Sequence, residues 1–487
     1  MHISSQRLRR LACAGALLPL GIRTTPIGAQ QPASTTPPTL AAPTPLRIPA
    51  ITERTLPNGL RVAIVEQHDV PVVDMVLVVR RGAEADPPGR SGLATLTASL
   101  LSEGAGSRDA VALADHIGFL AIRLNASAGL EQSTVSLHST RATLDSGLAL
   151  MADMVLRPRL SDADITRLRS VRVTSLLQES DRGPSMADRA FAALAYGPDH
   201  PYGRMPSGTR EDVERITAND VRSFWRTWYR PNNATLIIAG DLTVPEALAK
   251  ATAAFGSWSR GTLPAIRSVT APAASPTTIT LIDKPRAAQS SFRIGGIGVA
   301  RNTPDYYALQ VMNTALGGSF TSRLNQNLRE TKGYTYGASS GFAMRREAGP
   351  FTARAEVVAA KTDSALLEFL HELTAIRTPM PAAELTKTKT YLQLSYAERF
   401  ETSGDLAREI AALVPVGIPL SSLRQYQSRM AAVTRRDVQR VAQRHLNPAS
   451  LVIVIAGDTT SLAPALRALN VAPVTARDAR GRPIITP

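Results

Sequence analysis

Residues 216–241 read ITANDVRSFWRTWYRPNNATLIIAGD, and residues 433–458 read VTRRDVQRVAQRHLNPASLVIVIAGD. The segments align at an offset of 217 without a gap. Thr217 falls on Thr434, Asp220 on Asp437, Val221 on Val438 and Pro231 on Pro448. The closing Ile238-Ala239-Gly240-Asp241 falls on Ile455-Ala456-Gly457-Asp458. Solenoid units repeat every 20–50 residues or so, and this period is far longer. It marks a duplicated domain. Each copy predicts an N-capping Thr, a helix, a Pro-containing loop, and a buried apolar strand stopped by Gly-Asp.

The join between the copies is GTLPAIRSVTAPAASPTT, Gly261 to Thr278, whose prolines and small residues have the composition of a linker. In the first copy Leu60–Glu66 and Val72–Arg80 read as strands and Ser91–Ser102 as a helix. Ser133, Val135 and Leu137 alternate with more polar neighbours, as in a half-buried strand. The second copy repeats the order, with strands near Thr278–Ile282 and Ser290–Ile297 and a helix from Pro304 to Leu316. Strands mixed with long helices in each copy imply an α+β fold of two homologous α/β-layered lobes. The expected organisation is an N-terminal lobe over 51–260, a linker over 261–277, a C-terminal lobe over 278–470 and a tail over 471–487.

Ahead of the lobes, Arg7, Arg9 and Arg10 form a positive region followed by an apolar stretch from Leu11 to Ile22 and a small-residue site at Ile27-Gly28-Ala29. This is the layout of a secretory signal peptide over 1–29 and implies a periplasmic or extracellular location. Arg9-Arg10 leaves Sec and twin-arginine export both open. Residues 30–50 are rich in Pro, Thr and Ala and read as an extended tether. The single cysteine, Cys13, lies inside the signal, so a disulfide framework and a thiolate metal site are excluded from the mature chain. No run of eighteen apolar residues occurs, which excludes a helical membrane span. The net charge of +15 raises nucleic-acid binding as a possibility, and the pattern argues against it. All but six of the 55 basic residues are arginine, and they are scattered, with no run and no basic stripe interleaved with aromatics.

Several further segments, taken in order, resemble the insulinase/pitrilysin-type (M16) zinc peptidases. Asp199-His200-Pro201-Tyr202-Gly203 with Gly208-Thr209 is similar to that family's H-P-Y-G…G-T stretch. Tyr229-Arg230-Pro231-Asn232-Asn233 resembles its Y-x-P-x-N segment. Gly317-Gly318-Ser319-Phe320-Thr321-Ser322-Arg323-Leu324, continuing to Leu328-Arg329-Glu330 and Gly333-Tyr334-Thr335-Tyr336, resembles G-G-x-x-S-R-L…L-R-E-x-x-G-x-x-Y. The resemblance spans about residues 52 to 470. It implies two α+β lobes forming a clamshell half-chamber.

The family's chemistry uses H-x-x-E-H on the first long helix of the first lobe. Two histidines one turn apart hold zinc and the glutamate activates the metal-bound water. Here that helix reads Gly92-Leu93-Ala94-Thr95-Leu96-Thr97-Ala98-Ser99. The resemblance puts Thr95 and Ser99 in the ligand positions and Ala98 in the place of the glutamate. A hydroxyl is a poor zinc ligand at neutral pH, and alanine carries no base. The family's third ligand, a glutamate about 75 residues further on, registers with Ser175 or Leu176, with Glu179 one turn later. No two of the seven histidines (2, 68, 116, 138, 200, 371 and 445) stand three or four apart. A histidine cluster assembled only by the fold stays open.

The arginine–tyrosine pair of the family's second lobe is present as Arg329 and Tyr336. The resemblance implies that they reach the substrate near the metal, the guanidinium binding a carbonyl or carboxylate and the phenol supporting an oxyanion. The plainer alternative makes Arg329 a helix cap and Tyr336 a packed strand residue. On the first reading the chain is the non-catalytic, substrate-binding subunit of an exported two-chain peptidase. It binds no cofactor itself, zinc being expected in a homologous partner with intact H-x-x-E-H. Its other partner is an unfolded peptide added to a sheet edge, with Asn125–His138 and Thr335–Phe342 as edge candidates. The alternative is a peptidase-like binding or assembly protein with no proteolytic role.

Overall fold

The repeated segments fold alike. Thr217 and Thr434 each cap a helix through a reciprocal capping box, with Asp220 and Asp437 accepting from the capping residue's own N–H. The computed structural model describes residues 46–265, 269–478 and 481–484. The stretch expected as a signal peptide over 1–29, with Cys13, and the expected tether up to residue 45 lie outside the described residues.

The first lobe is built on β1 (Thr52–Thr55), β2 (Arg61–Glu66), β3 (Val72–Val79), β4 (Arg123–Ala128), β5 (Ser133–Thr140) and β6 (Ala234–Gly240), in the sheet order β1-β2-β6-β3-β5-β4. The second has β7 (Thr278–Asp283), β8 (Gln289–Ile297), β9 (Thr335–Phe342), β10 (Pro350–Val358), β11 (Val452–Gly457) and β12 (Val474–Arg477), in the order β9-β10-β8-β11-β7-β12. Both sheets are mixed, β2 running parallel to β6 and β7 parallel to β11. The period of 217 persists well beyond the segments that revealed it: β3 and β8 start at 72 and 289, β5 and β10 at 133 and 350. The chain is an α+β protein of two lobes.

Four helices of the first lobe bear on function: α1 (Leu93–Leu100), α2 (Asp162–Ser180), α3 (Gly183–Tyr196) and α4 (Ala218–Trp228). Their counterparts in the second include α5 (Tyr306–Asn313), α6 (Ser403–Leu413) and, after α7 (Ser422–Ala432), α8 (Arg435–His445). One face of the first sheet buries Val62, Ile64, Met75 and Leu77 in the same core as the apolar residues of α1 and α4. The other face is covered by the opposite lobe. Leu406, Ala407 and Ile410 of α6 pack on Ala63, Val65, Val76, Val78, Ile237 and Ala239. Reciprocally, Met186, Ala187 and Phe191 of α3 pack on Ile282, Val454 and Ala456 of the second sheet. α3 and α6 are the same element of the repeat, so each lobe lends one helix to the other. Each fully buried large apolar side chain contributes about 1.5–3 kcal/mol, which makes this exchange a strong bond between the lobes.

Three expectations need correction. The tether does not run free to residue 50: Leu46 and Ile48 pack on the cores, the Leu46 N–H donates to Gln427 on α7 (2.8 Å), and Arg424 donates to the Pro49 carbonyl (3.1 Å). Two apolar residues at spacing two give an extended segment one face to bury. The second lobe does not end at 470, because Val474–Arg477 of the tail is β12, adding parallel to β7. An open sheet edge offers unpaired backbone groups that the tail satisfies. The helix expected over Pro304–Leu316 is α-helical only to Asn313 and widens into a π turn over Thr314–Gly318. Gly317 there lies against β9, where a Cβ would come within 2.4 Å of the Ser340 nitrogen.

Candidate functional site

Asp86 sets the start of α1. Its carboxylate accepts from the Gly92 and Ala94 N–H groups, both at 2.8 Å. The side chain is buried, and burial pushes its pKa up to about 7 against the pull of those two bonds. A second loop closes over the same helix. Gly208, at φ +82, brings its backbone so close to Ser91 that a Cβ would lie 2.2 Å from the Ser91 carbonyl oxygen. Thr209 then caps the short helix Arg210–Arg215. The Gly208-Thr209 pair is thus the hinge of a cover over α1.

Under that cover the residues expected at the zinc-motif positions make other contacts. Thr95 is buried, with its hydroxyl 3.0 Å from the carbonyl oxygens of both Gly92 and Pro206. Ala98 is fully buried, and the half-buried Ser99 donates to the Thr95 carbonyl at 3.0 Å. On α2, Ser175 donates to the Val171 carbonyl (3.1 Å), and Leu176 is part of the core. These residues do not fit a zinc ion: the hydroxyls are committed to backbone carbonyls and Ala98 has no donor atom. Five histidines have other partners, His68 with Asp241 (2.8 Å), His116 with Arg108 (3.1 Å), His138 with Asp74 (2.9 Å), His445 with Asp305 (2.8 Å), and His200 with the Val269 carbonyl (3.1 Å). Among the described residues no three His, Cys, Asp or Glu side chains gather as a metal site.

In the second lobe, the π turn Gln326–Thr331 that carries Arg329 packs against β9. The Arg329 guanidinium lies 4.6 Å from the centroid of the Phe320 ring and 3.5 Å from Glu330. Tyr336 follows Thr335 at a break in the β9–β10 register and is 89% exposed. Asn325 braces this region, donating to the Phe320 carbonyl (2.7 Å) and accepting from the Ala338 N–H (3.2 Å). Arg323 is fixed by a two-toothed pair with Glu384, at 2.7 and 2.6 Å. The Arg323 and Asn325 positions of the motif therefore build the platform, while Phe320, Arg329 and Tyr336 face outward from it. Phe320 and Asn325 were not singled out from the sequence; only their place inside the G-G…Y segment marked them.

Both edge candidates fall on sheet edges. β4, which overlaps the start of Asn125–His138, ends the first sheet and β9 ends the second, while β5, which holds the later part of that stretch, lies one strand in. Their hairpin turns meet. Glu131, in the β4–β5 turn, accepts from the Arg346 N–H in the β9–β10 turn at 3.2 and 3.0 Å. It also accepts from the Tyr202 hydroxyl, which in turn accepts from the Glu347 N–H at 3.3 Å. Arg345 lies over the Tyr202 ring at 4.7 Å, and the Arg346 guanidinium reaches Glu84 at 3.2 Å. Burial pushes Glu84 and Tyr202 up and His200 down, so a neutral His200 accepts from the Tyr202 N–H through Nδ1 (2.9 Å). The His200-Pro201-Tyr202-Gly203 segment is the clasp between the two edge hairpins. Sequence reasoning missed Glu131 and Arg346, which stand 215 residues apart and carry no motif.

The family described as Insulinase (Peptidase family M16) matches residues 61–195, and the Peptidase M16 inactive domain matches residues 215–392. An uncharacterized zinc protease of Mycobacterium bovis is 30% identical over 298 residues, covering 61% of this chain and 67% of the relative. The chain belongs to the M16 family. A crystal structure of an M16 inactive domain from Pseudomonas fluorescens superposes with a TM-score of 0.79 at 26% identity, covering 84% of this chain and 98% of that one. A protein of Arabidopsis thaliana named "Probable mitochondrial-processing peptidase subunit beta" is 23% identical over 432 residues, covering 86% of this chain and 80% of the relative. Within this M16 chain Thr95, Ala98 and Ser99 lie on α1 of the first lobe, and Arg329 and Tyr336 lie beside and on β9 of the second.

Proposed function

We propose that this chain is the non-catalytic, substrate-binding subunit of an exported two-chain M16 zinc peptidase. It supplies Arg329 and Tyr336 to a partner that carries H-x-x-E-H. The observation that carries the reading is the contrast between the two lobes. Thr95 and Ala98 are buried and the Thr95 and Ser99 hydroxyls are bonded to backbone carbonyls, whereas Tyr336 is held 89% exposed on β9, against which the turn carrying Arg329 packs. A phenol and a guanidinium kept in reach of a bound peptide can stabilise charge that develops on its carbonyl without any metal ligand of their own. The subunit's share is then to bind and orient: an extended peptide adds to a sheet edge, and the pair contacts the carbonyl that the partner's water attacks. The zinc-bound water and its general base belong to the partner. That a relative is itself named as a peptidase subunit supports a two-chain assembly, and the N-terminal Arg-apolar-small pattern supports export.

The test is reconstitution. The purified chain alone, cleared with chelator and reloaded with zinc, is expected to hold no stoichiometric metal and to cleave no quenched peptide. Mixed with a homologous H-x-x-E-H chain, it is expected to co-elute and to raise that chain's turnover. Co-elution without a gain in rate moves the assignment to an assembly protein, and one tightly held zinc in the chain alone overturns it.

A further inference from the structure

The outer face of edge strand β4 carries Arg123, Asn125 and Ser127, all exposed, while Leu124, Ala126 and Ala128 turn toward the core. Beside this face lies a cavity of about 460 Å³ between β3, β4, β5 and helix α6 of the opposite lobe. Its ionisable side chains are Arg123, His138, Asp74 and Arg408. Asp74 is taken up by His138 (2.9 Å) and by the Ser403 hydroxyl (2.6 Å), and Arg408 is paired with Asp405. Arg123 forms no ion pair among the described residues, and across the ladder it sits opposite His138. Among the described residues that line this groove, the one charge without an ion pair is positive.

We propose that the peptide bound along β4 presents an acidic side chain, Asp or Glu, to the Arg123 face of this groove. The inference rests on β4 being a peptide-accepting edge, as in the function proposed above. A strand added to β4 points alternate side chains to the face that holds Arg123 and Asn125, with directly opposed Cβ atoms about 4.5–5.5 Å apart. At that separation a carboxylate can take two parallel N–H bonds from the guanidinium. The next side chain on the same face meets the Asn125 amide, which suits a polar or acidic group equally. A lysine in the first position meets Arg123 at the distance of a destabilising like-charge pair. With Asp74 already held by His138 and Ser403, the groove has no free acid to receive it.

Three fluorescein-labelled peptides of one extended Ser/Val sequence, carrying Glu, Gln or Lys at alternate positions, serve as probes for the full chain. Anisotropy titration is expected to rank Glu over Gln over Lys, with roughly three- to tenfold between the extremes at low salt and little difference near 1 M salt. Arg123→Gln is expected to remove the ranking and Arg123→Glu to invert it, with the melting temperature unchanged because Arg123 is exposed. Arg354→Gln, a loss of the same charge beside the other edge strand, is expected to preserve the ranking. Equal binding of all three peptides, or a ranking that follows Arg354, overturns the acidic preference while leaving edge binding intact. Failure of every peptide to bind overturns the edge reading and this inference with it.

Discussion

Among the tyrosines of the second lobe, Tyr396 and Tyr426 stack in its core with centroids 3.9 Å apart, whereas Tyr336 is 89% exposed. Removing the phenol oxygen of Tyr336 leaves no core contact behind. In the reconstituted complex, Tyr336→Phe is expected to lower kcat on the order of a hundredfold, the usual cost of one oxyanion donor. Arg329→Ala is expected to raise KM as well as lower kcat, since its guanidinium would hold substrate in both states. Melting temperature measured on the same preparations separates this from a packing role, which predicts lower stability and unchanged kcat. Asp86 provides a second residue-scale test. Its ordinary pKa of 3.8 is raised to about 7 in the folded chain, chiefly by burial. Between those values the folded state keeps a proton that the unfolded state releases, so Asp86 makes stability fall as pH rises from about 4 to about 7. Asp86→Asn is expected to flatten that fall while lowering stability overall, because the amide is a weaker cap. Urea midpoints across that range, compared as slopes, decide it; parallel slopes contradict a raised pKa.

At the scale of elements, the β4–β5 and β9–β10 hairpins are clasped at their turns through Glu131, Tyr202 and the 346–347 backbone. Glu131→Gln keeps the size and loses a charge-assisted acceptor, a change of roughly 1.5–3 kcal/mol. Hydrogen exchange is expected to speed up in both β4 and β9, although the substitution lies outside both strands. Acceleration in β4 alone would mean that the clasp does not couple them. The π turn at Thr314–Gly318 positions β9 from the other side. Gly317→Ala forces a methyl against the Ser340 backbone nitrogen, 2.4 Å away. Overpacking of this kind costs about 1–3 kcal/mol, and the strand that must yield is the one carrying Tyr336. Peptidase activity of the complex is therefore expected to fall by more than the loss of folded protein accounts for.

At the scale of the molecule, the exchange of α3 and α6 ties the stability of each lobe to the other. Ile410→Ala, in the second lobe, opens a cavity against the first lobe's sheet and is expected to cost about 2–5 kcal/mol. Calorimetry is expected to show one transition, shifted as a whole. Two separated transitions, with only the second lobe weakened, would mean that the lent helices do not couple the lobes. The same exchange frames one wall of the Arg123 groove, since Gly404 and Arg408 of α6 line it beside strands of the first lobe.

Local chemistry made the duplication legible in the sequence. Thr217 and Thr434 cap helices, Gly-Asp stops β6 and β11, and the alternation of Ser133, Val135 and Leu137 places one face of β5 inward, because caps, turns and periodicity act over a few residues. Likewise, Thr95, Ala98 and Ser99 could be read against a zinc motif because its ligands lie one helical turn apart. Tertiary structure alone decided what depends on residues distant in sequence. That Thr95 is sealed by the Pro206 carbonyl, that Glu131 clasps Arg346, and that α6 covers the wrong lobe's sheet all follow from contacts between segments more than a hundred residues apart. The end strand β12 belongs with them. Val474–Arg477 is too short to announce itself, and it is a strand because the free edge of β7 leaves backbone groups for it to pair with.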